Sequence, residues 1–156
     1  MIDFTPQESI RYSRHFVLPG FGKEGQERLK KGRVLVVGAG GLGSPVLYYL
    51  AAAGVGSIGI ADADTVNLSN LQRQILFTTH DIGKGKASTA AGKLRNLNPD
   101  IHVVAIVSRI DAGNALAIVG GYDIIVDATD NFPTRYLLND VAVLTGKTLV
   151  YASIFR

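Results

Sequence analysis

The chain has 156 residues, of which 47% are hydrophobic and 19% are charged, and it contains no cysteine. This length is typical of one domain, and the hydrophobic fraction is high enough for a sizeable core, which excludes global disorder. The lack of cysteine excludes disulfides, thiolate zinc sites and a cysteine nucleophile within these residues. The formal net charge of +3 comes without a basic block, so it does not indicate a nucleic-acid partner.

The first residues have neither the basic start nor the apolar run of a signal peptide. No stretch approaches the roughly 18 uninterrupted apolar residues that a membrane-spanning helix requires. We therefore expect a cytoplasmic protein without a membrane partner.

Two helices are predicted at the start of the chain, over 6–18 and 23–31, and they form an N-terminal helical segment at 1–31. From residue 32 onward, glycines separate short apolar runs, a spacing typical of α/β proteins with turns between strands and helices. The predicted strands cover 34–37, 57–61, 102–107, 123–127 and 148–152. The predicted helices between them cover 42–53, 84–97, 112–119 and 134–145.

Strands that alternate with helices along a chain indicate a parallel sheet. We therefore predict an α/β fold, namely a Rossmann-like, doubly wound and mostly parallel sheet with helices on both faces, preceded by the short helical segment. Residues 154–156 leave the fifth predicted strand without a closing helix, and domains seldom end on a central buried strand. We expect this Rossmann-like domain at 32–156 to be truncated at its C-terminus.

Gly38, Gly40 and Gly43 occupy the G-x-G-x-x-G positions between the first predicted strand and the following helix. In this context the glycines allow a tight turn, a close approach of the backbone to a phosphate or ribose, and close packing of helix on strand. Asp62 lies 19 residues after Gly43, where its carboxylate can accept hydrogen bonds from both hydroxyls of an adenosine ribose. The motif predicts nucleotide binding without distinguishing NAD from ATP, and its alternative is a tight turn with no ligand.

A dense run of polar side chains follows the second predicted strand. It comprises Asp62, Asp64, Asn67, Asn70, Gln72, Arg73 and Gln74. The last four span about one helical turn, so they can project toward one place. Lys86 lies near the next helix start, and 127–131 follows the fourth predicted strand, at the sheet edge where open α/β sheets bind ligands.

Arg73 and Lys86 are suited to phosphate oxygens, and Asp130 is suited to Mg²⁺, which takes few protein carboxylates and keeps several waters. Together they describe a site for ATP and magnesium, because the diphosphate of NAD carries no bridging magnesium. The alternative is that the Asn/Gln/Arg run is a solvated capping loop and that Asp130 caps the following helix.

Several of these motifs resemble the ThiF/MoeB/HesA family, the bacterial relatives of ubiquitin-activating enzymes. They are the glycine motif at 38–43, Leu-Ser-Asn-Leu-Gln-Arg-Gln at 68–74 and Asp-Ala-Thr-Asp-Asn at 127–131. The strings Arg-Tyr-Ser-Arg-His at 11–15 and Gly-Lys-Gly-Lys-Ala at 83–87 are also similar to that family. The likeness runs over essentially the whole chain.

The resemblance implies ATP-dependent adenylation of the C-terminal glycine of a small ubiquitin-like sulfur-carrier protein that ends in Gly-Gly, similar to MoaD or ThiS. Pyrophosphate would be released, and the pathway would be molybdopterin or thiamine biosynthesis. It also implies a homodimer in which Arg14 reaches into the ATP site of the partner subunit. The nucleophile would be a carboxylate that is already ionised at pH 7, so no general base is required.

The resemblance assigns roles to individual residues, with Gly41 and Asp62 on the nucleoside and Asp130 on the magnesium ion. The catalytic residues that it implies are Arg14, Arg73, Lys86 and Asp130. The nucleotide-binding residues are Gly38, Gly40, Gly41, Gly43, Asp62, Asp64, Asn67, Ser69, Asn70, Gln74 and Asn131. Zinc is expected only in a C-terminal part with two Cys-x-x-Cys pairs, which this cysteine-free sequence does not contain.

Three other functions are compatible with parts of the sequence. The glycine motif alone would fit an NAD-dependent Rossmann oxidoreductase. A tRNA-modifying dehydratase of the same superfamily would activate a carboxylate on tRNA, although the 68–74 string favours the carrier-protein branch. A non-catalytic binding module would typically lack the Arg, Lys and Asp set that is present here.

Overall fold

Five parallel strands form the only sheet among residues 3–153, which are the residues that the computed structural model describes. The strands are β1 (Arg33–Val37), β2 (Ser57–Ala61), β3 (His102–Ile106), β4 (Ile124–Asp127) and β5 (Thr148–Tyr151). The helices are α1 (Pro6–Arg11), α2 (Ser13–Phe16), α3 (Gly22–Lys31), α4 (Gly43–Ala53), α5 (Lys86–Leu97), α6 (Ala115–Gly120) and α7 (Phe132–Thr145). Two short 3₁₀ turns lie at Leu68–Asn70 and Thr79–Asp81.

The strand order is β3-β2-β1-β4-β5, with β1 at the centre. Val34 of β1 is in register with Ile58 of β2 on one side and with Ile124 of β4 on the other. The chain order therefore reverses between β1 and β4, which makes this the topological switch point where open α/β sheets bind ligands. The predicted Rossmann-like α/β fold is confirmed.

Side chains of β1 alternate between two apolar clusters, one on each face of the sheet. Val36 packs in the cluster that contains Leu47 of α4 and Leu94 of α5. Leu35 packs in the other cluster, which contains Leu138 of α7. Both faces are thus covered, as expected for a strand whose residues are almost all apolar.

The N-terminal segment is divided into more helices than predicted. The single helix expected over 6–18 is wrong, because α1 ends at Arg11. The next residue, Tyr12, has a buried ring, and its hydroxyl accepts a hydrogen bond of 2.8 Å from Asn98. Burial of this ring turns the chain, and a second short helix follows. An ion pair of 2.7 Å between Glu8 and Lys30 joins α1 to α3.

Other helix boundaries differ from the prediction where a β-bridge or a side-chain cap binds the backbone at the start of the helix. α5 begins at Lys86 rather than 84, since Gly85 pairs with Thr65 in an isolated antiparallel bridge. α7 begins two residues earlier than predicted, because Asn131 caps it. Residues 154–156, from which a C-terminally truncated domain was inferred, lie outside the described residues. Within 3–153, no helix has both the length and the apolar character needed to cross a membrane.

Candidate functional site

The carboxyl ends of β1, β2, β3 and β4 surround a cleft with a cavity volume of about 690 Å³. This volume is within the range of sites for small ligands and cofactors. The charged side chains that line the cleft are Arg73, Lys86, Arg109, Arg135, Asp62, Asp64 and Asp130. Four of them are cationic and three are carboxylates, an arrangement suited to a ligand that is itself anionic and carries a cation.

The glycine loop, residues 38–43, forms the floor of the cleft next to β1. Gly38 has a φ of +94°, and a Cβ atom at this position would lie 2.8 Å from the carbonyl oxygen of Ala128. A Cβ atom at Gly43 would overlap the carbonyl oxygen of Gly38, so the third glycine serves the close packing of α4 against the loop. Gly40 and Gly41 line the cleft itself.

Asp62, at the end of β2, is hydrogen-bonded to the glycine loop. One carboxylate oxygen accepts from the backbone N–H of Ala39 at 2.8 Å, and the other accepts from the N–H of Asp64 at 2.8 Å. Each carboxylate oxygen has about two lone-pair directions, so Asp62 keeps the capacity to accept from a ligand. These two bonds set the orientation of the carboxylate before any ligand binds.

Lys86 is almost completely buried at the start of α5, although its side chain lines the cleft. Its ammonium group lies 3.2 Å from the carboxylate of Asp64, whose side chain is two-thirds exposed. A second contact, from the backbone N–H of Lys86 to the carbonyl oxygen of Asp64 at 2.8 Å, ties the two segments together. A buried ammonium with one exposed partner is available to a phosphate that enters the cleft.

The segment that leads to Lys86 is held by Asp81. Burial by itself would raise the pKa of this carboxyl group, but hydrogen bonds from Lys93 and from the backbone and hydroxyl of Thr78, together with the Lys93 charge, outweigh it. The pKa of Asp81 is therefore well below its usual range. Lys84 lies 3.7 Å away on the same carboxylate. Asp81 thus anchors the turn before α5 to the helix itself.

Arg73 and Gln74 follow the 3₁₀ turn at 68–70 and reach the cleft from above the glycine loop. The aliphatic part of Arg73 packs over Gly41, and its guanidinium donates to the carbonyl oxygen of Ser69 at 3.4 Å. Gln74 is buried, and its side-chain oxygen has no hydrogen-bond partner among residues 3–153. Of the four side chains that were expected to project toward one place, Arg73 and Gln74 line the cleft, whereas Asn70 and Gln72 do not.

The β4 loop, residues 128–131, forms the side of the cleft that adjoins α7. Asp127 accepts two hydrogen bonds from Thr129, one from its backbone N–H at 2.9 Å and one from its hydroxyl at 2.6 Å. Asp130 is exposed and lines the cleft. The side chain of Asn131 accepts from the N–H of Thr134 at 3.0 Å, so Asn131 rather than Asp130 caps α7.

Most of the predicted site residues meet in this cleft, and the others lie nearby or elsewhere. The cleft is lined by Gly38, Gly40, Gly41, Asp62, Asp64, Arg73, Gln74, Lys86, Asp130 and Asn131. The predicted residues that do not line it are Arg14, Gly43, Asn67, Ser69 and Asn70. Asn67 accepts from the backbone and hydroxyl of Ser69, at 3.1 and 3.0 Å, and so begins the 3₁₀ turn. Arg14 is exposed on α2.

The sequence analysis did not name several residues that line the cleft. Ser108 and Arg109 follow β3, and they could have been found because the carboxyl ends of parallel strands meet at one edge of the sheet. Arg135 is in the second turn of α7, and its guanidinium donates to the carbonyl oxygen of Thr129 at 2.7 Å and to the hydroxyl of Tyr151 at 3.1 Å. No motif marks such a contact in the sequence.

A parallel sheet of this order, with a glycine loop at its switch point and an acidic residue at the end of β2, defines a nucleotide-binding class of α/β domain. Within that class, the ThiF family model matches residues 12–156. The chain belongs to the ThiF family, as the motifs at 38–43, 68–74 and 127–131 indicated.

Two curated relatives show where in the family the chain falls. It is 55% identical over 153 residues to the sulfur carrier protein adenylyltransferase of Thermus thermophilus, covering 98% of this chain and 56% of the relative. It is 53% identical over 150 residues to the probable adenylyltransferase/sulfurtransferase MoeZ of Mycobacterium tuberculosis, covering 96% of this chain and 38% of the relative. The chain thus spans about half the length of these relatives, or less.

A solved structure shares the whole fold at lower identity. The tRNA N6-threonylcarbamoyladenosine dehydratase TcdA of E. coli, in complex with AMP, superposes with a TM-score of 0.91 and 26% identity. The match covers 97% of this chain and 61% of that protein.

Proposed function

We propose that the cleft binds ATP with Mg²⁺ and that the protein adenylates the C-terminal glycine carboxylate of a small ubiquitin-like sulfur-carrier protein, releasing pyrophosphate. The observation that carries this proposal is the meeting of Asp62, Arg73, Lys86 and Asp130 in one cleft at the switch point. Membership of the ThiF family and the 55% identity to a sulfur carrier protein adenylyltransferase support it.

The nucleoside would lie against the glycine loop and Asp62. Gly40 and Gly41 present no side chains to the cleft, so the backbone can approach a ribose or a phosphate closely. Asp62 is already oriented by two backbone N–H groups and would accept hydrogen bonds from the ribose hydroxyls. Arg73 and Lys86 would hold the phosphates, with Lys86 exchanging part of its contact to Asp64 for a phosphate oxygen.

The donor set on the β4 side fits magnesium. Mg²⁺ is usually bound in such sites by one or two carboxylates together with substrate phosphates, and it keeps several waters. Asp130 offers an exposed carboxylate in the cleft, and residues 3–153 contain no cluster of three or more His, Cys, Asp or Glu that would indicate a dedicated metal cage. Bound magnesium would offset phosphate charge, and Asp130 would hold it.

The chemistry requires cations more than it requires a base. The nucleophile is an anion that attacks the α-phosphate of another anion, so negative charge builds up where the cleft presents Arg73 and Lys86.

Arg14 lies outside the cleft of its own chain, and we propose that it acts in the cleft of a partner subunit in a homodimer. The carrier would be MoaD-like or ThiS-like, serving molybdopterin or thiamine biosynthesis in the cytoplasm.

Carrier-dependent ATP–pyrophosphate exchange, measured with the natural full-length protein, tests the proposal. Arg73→Ala or Asp130→Ala should each lower the exchange rate by about 10³-fold or more, judging from other arginines and metals that stabilise phosphoryl transfer. Arg28→Ala and Asp140→Ala remove exposed charges outside the cleft and should leave the rate within about 3-fold of wild type. Normal exchange in both cleft variants would overturn the site.

Mixed dimers test the trans role of Arg14. Arg14→Ala and Lys86→Ala should each be nearly inactive alone. A mixture of the two should regain up to about a quarter of the wild-type activity, because random pairing places one intact site in half of the dimers. No recovery in the mixture would show that Arg14 does not complete the site of a partner subunit.

A second candidate function is the activation of a carboxylate on tRNA. It is favoured by the TM-score of 0.91 to the tRNA dehydratase TcdA, although the identity is 26% against 55% for the carrier-activating relative. Stimulation of pyrophosphate exchange by tRNA that bears N6-threonylcarbamoyladenosine, and not by a carrier protein, would establish this alternative. Fluorescence titrations with NADH and with ATP·Mg²⁺ would distinguish these two activating functions from an oxidoreductase, because only an oxidoreductase would bind NADH in preference to ATP·Mg²⁺.

A further inference from the structure

Asp127 is a buried carboxylate for which the proposed chemistry has no use. It ends β4, three residues before Asp130, and its side chain is 2% exposed, so it does not line the cleft. One of its oxygens, Oδ2, has no hydrogen-bond partner among residues 3–153. Burial of a polar group is costly unless hydrogen bonds compensate for the lost hydration, so the contacts of the other oxygen are important for this side chain.

The contacts of Oδ1 are both with Thr129, whose N–H and hydroxyl donate to it at 2.9 and 2.6 Å. The carbonyl oxygen of Thr129 accepts from Arg135 at 2.7 Å. All three polar groups of Thr129 are therefore held, from the strand on one side and from α7 on the other.

Ala128 and Asn131, the two ends of the β4 loop, are fixed without help from Asp127. The N–H of Ala128 donates to the carbonyl oxygen of Val37 at 2.9 Å, and its own carbonyl oxygen packs against Gly38. Asn131 is fixed as the cap of α7. Asp130 directly follows Thr129, so its backbone position depends on the contacts that Asp127 and Arg135 make with Thr129.

We propose that Asp127 is a positioning residue for the metal site: through Thr129 it sets the backbone of the β4 loop and so the place of the Asp130 carboxylate. This inference rests on the proposed role of Asp130 toward magnesium. Removal of groups that orient metal ligands typically costs 10–100-fold in metal affinity.

Hydrogen–deuterium exchange on the protein without ligand tests the positioning directly. Asp127→Ala should raise the exchange rate of the amides at 128–131 by about 10-fold or more, because Thr129 loses both contacts. Asp127→Asn should leave it within about 3-fold of wild type, because the amide oxygen can still accept from Thr129 and Oδ2 has no hydrogen-bond partner among residues 3–153. Asp111→Ala is the matched control, since Asp111 makes the same kind of turn with Gly113 and Asn114 after β3.

Binding of magnesium to the complex with a non-hydrolysable ATP analogue, measured by calorimetry, provides the second readout. Asp127→Ala should weaken the magnesium affinity about 10-fold or more, while the affinity for the analogue without magnesium stays within about 3-fold. Asp127→Asn and Asp111→Ala should resemble wild type in both measurements. An Asn variant as defective as the Ala variant would overturn the inference, since it would mean that charge rather than the Thr129 contacts matters.

Two further outcomes separate this inference from the proposed function. If wild type binds no ATP analogue with magnesium, the proposed function is wrong and the inference falls with it. If wild type binds both and Asp127→Ala is unchanged, only the inference is wrong.

The Thr129 variants serve if Asp127→Ala does not fold. Thr129→Val removes the hydroxyl donor alone and should weaken the affinity for magnesium about 3–10-fold, with Thr129→Ser close to wild type. Equal affinity in both Thr129 variants would overturn the inference.

Discussion

The glycine loop after β1 and the β4 loop after β4 adjoin each other at the switch point, yet different contacts hold them. In the glycine loop the backbone packs directly on backbone, as at Gly43 against Gly38 and at Gly38 against Ala128. In the β4 loop, side chains hold the backbone, as Asp127 and Arg135 do for Thr129. Where backbone packs on backbone, as at Gly38 and Gly43, no atom can be added without moving the chain, whereas a loop that side chains hold can lose contacts one at a time.

The largest effect is expected from adding one methyl group to the glycine loop. Gly43→Ala should lower the free energy of unfolding by about 3 kcal/mol, because its Cβ would overlap the carbonyl oxygen of Gly38 and backbone would have to move. Urea unfolding followed by circular dichroism measures this. Gly92→Ala is the control, since Gly92 lies within α5 with open space around its Cβ position and should gain about 0.5–1 kcal/mol. Equal stability of the two variants would contradict the comparison.

The second effect is a dependence of stability on pH. A contact made by an ionisable side chain changes in strength with pH, whereas packing of backbone on backbone does not. The pKa of Asp81 is held well below that of an unfolded chain, so its stabilisation is present above about pH 4 and is lost as pH falls toward the lower folded-state value. Asp81→Asn should cost about 2 kcal/mol at pH 7, and the difference from wild type should shrink as the pH falls toward 2. A difference that stays constant from pH 7 to pH 2 would show that the Asp81 charge does not anchor the turn.

A smaller loss is expected from the α7 side of the β4 loop. Arg135→Met should lower the free energy of unfolding by about 1 kcal/mol, because it removes hydrogen bonds to Thr129 and Tyr151 and the cation–π contacts of the guanidinium with the rings of Phe132 and Tyr151. Chemical denaturation provides the measurement. Tyr151→Phe removes the hydroxyl alone and should cost less than about 0.5 kcal/mol. A loss of stability as large as that of Gly43→Ala would mean that the two loops are equally sensitive to substitution.

The smallest effect on stability is expected where the glycine loop meets a flexible side chain. A Cβ atom at Gly41 would lie 3.3 Å from Cγ of Arg73, which can shift by a few tenths of an ångström. Gly41→Ala should therefore change the free energy of unfolding by less than about 0.5 kcal/mol. Because Arg73 moves, ATP affinity should fall several-fold, measured by calorimetry with Gly92→Ala as the control. A large loss of stability would show that the side chain of Arg73 cannot shift to accommodate the added methyl group.

The fold could be predicted from local patterns because each has a local physical cause. Apolar β-branched runs between glycines indicate buried parallel strands, and all five predicted strands exist within one residue of their predicted ends. The helix at 6–18 was predicted wrongly, because the break at Tyr12 comes from a contact with Asn98, 86 residues away. Sequence periodicity contains no information about such a partner.

The sequence by itself determined the strand–helix alternation, the glycine loop and many of the polar residues that line the cleft, among them Asp62, Arg73 and Lys86. It could do so because parallel strands place their carboxyl ends at one edge, so residues that follow different strands must meet there. Only the tertiary structure decided that Asn131 rather than Asp130 caps α7, and that Asp127 and Arg135 hold Thr129 from opposite sides. Those outcomes depend on side-chain direction and on distances between atoms, which become defined when the elements pack.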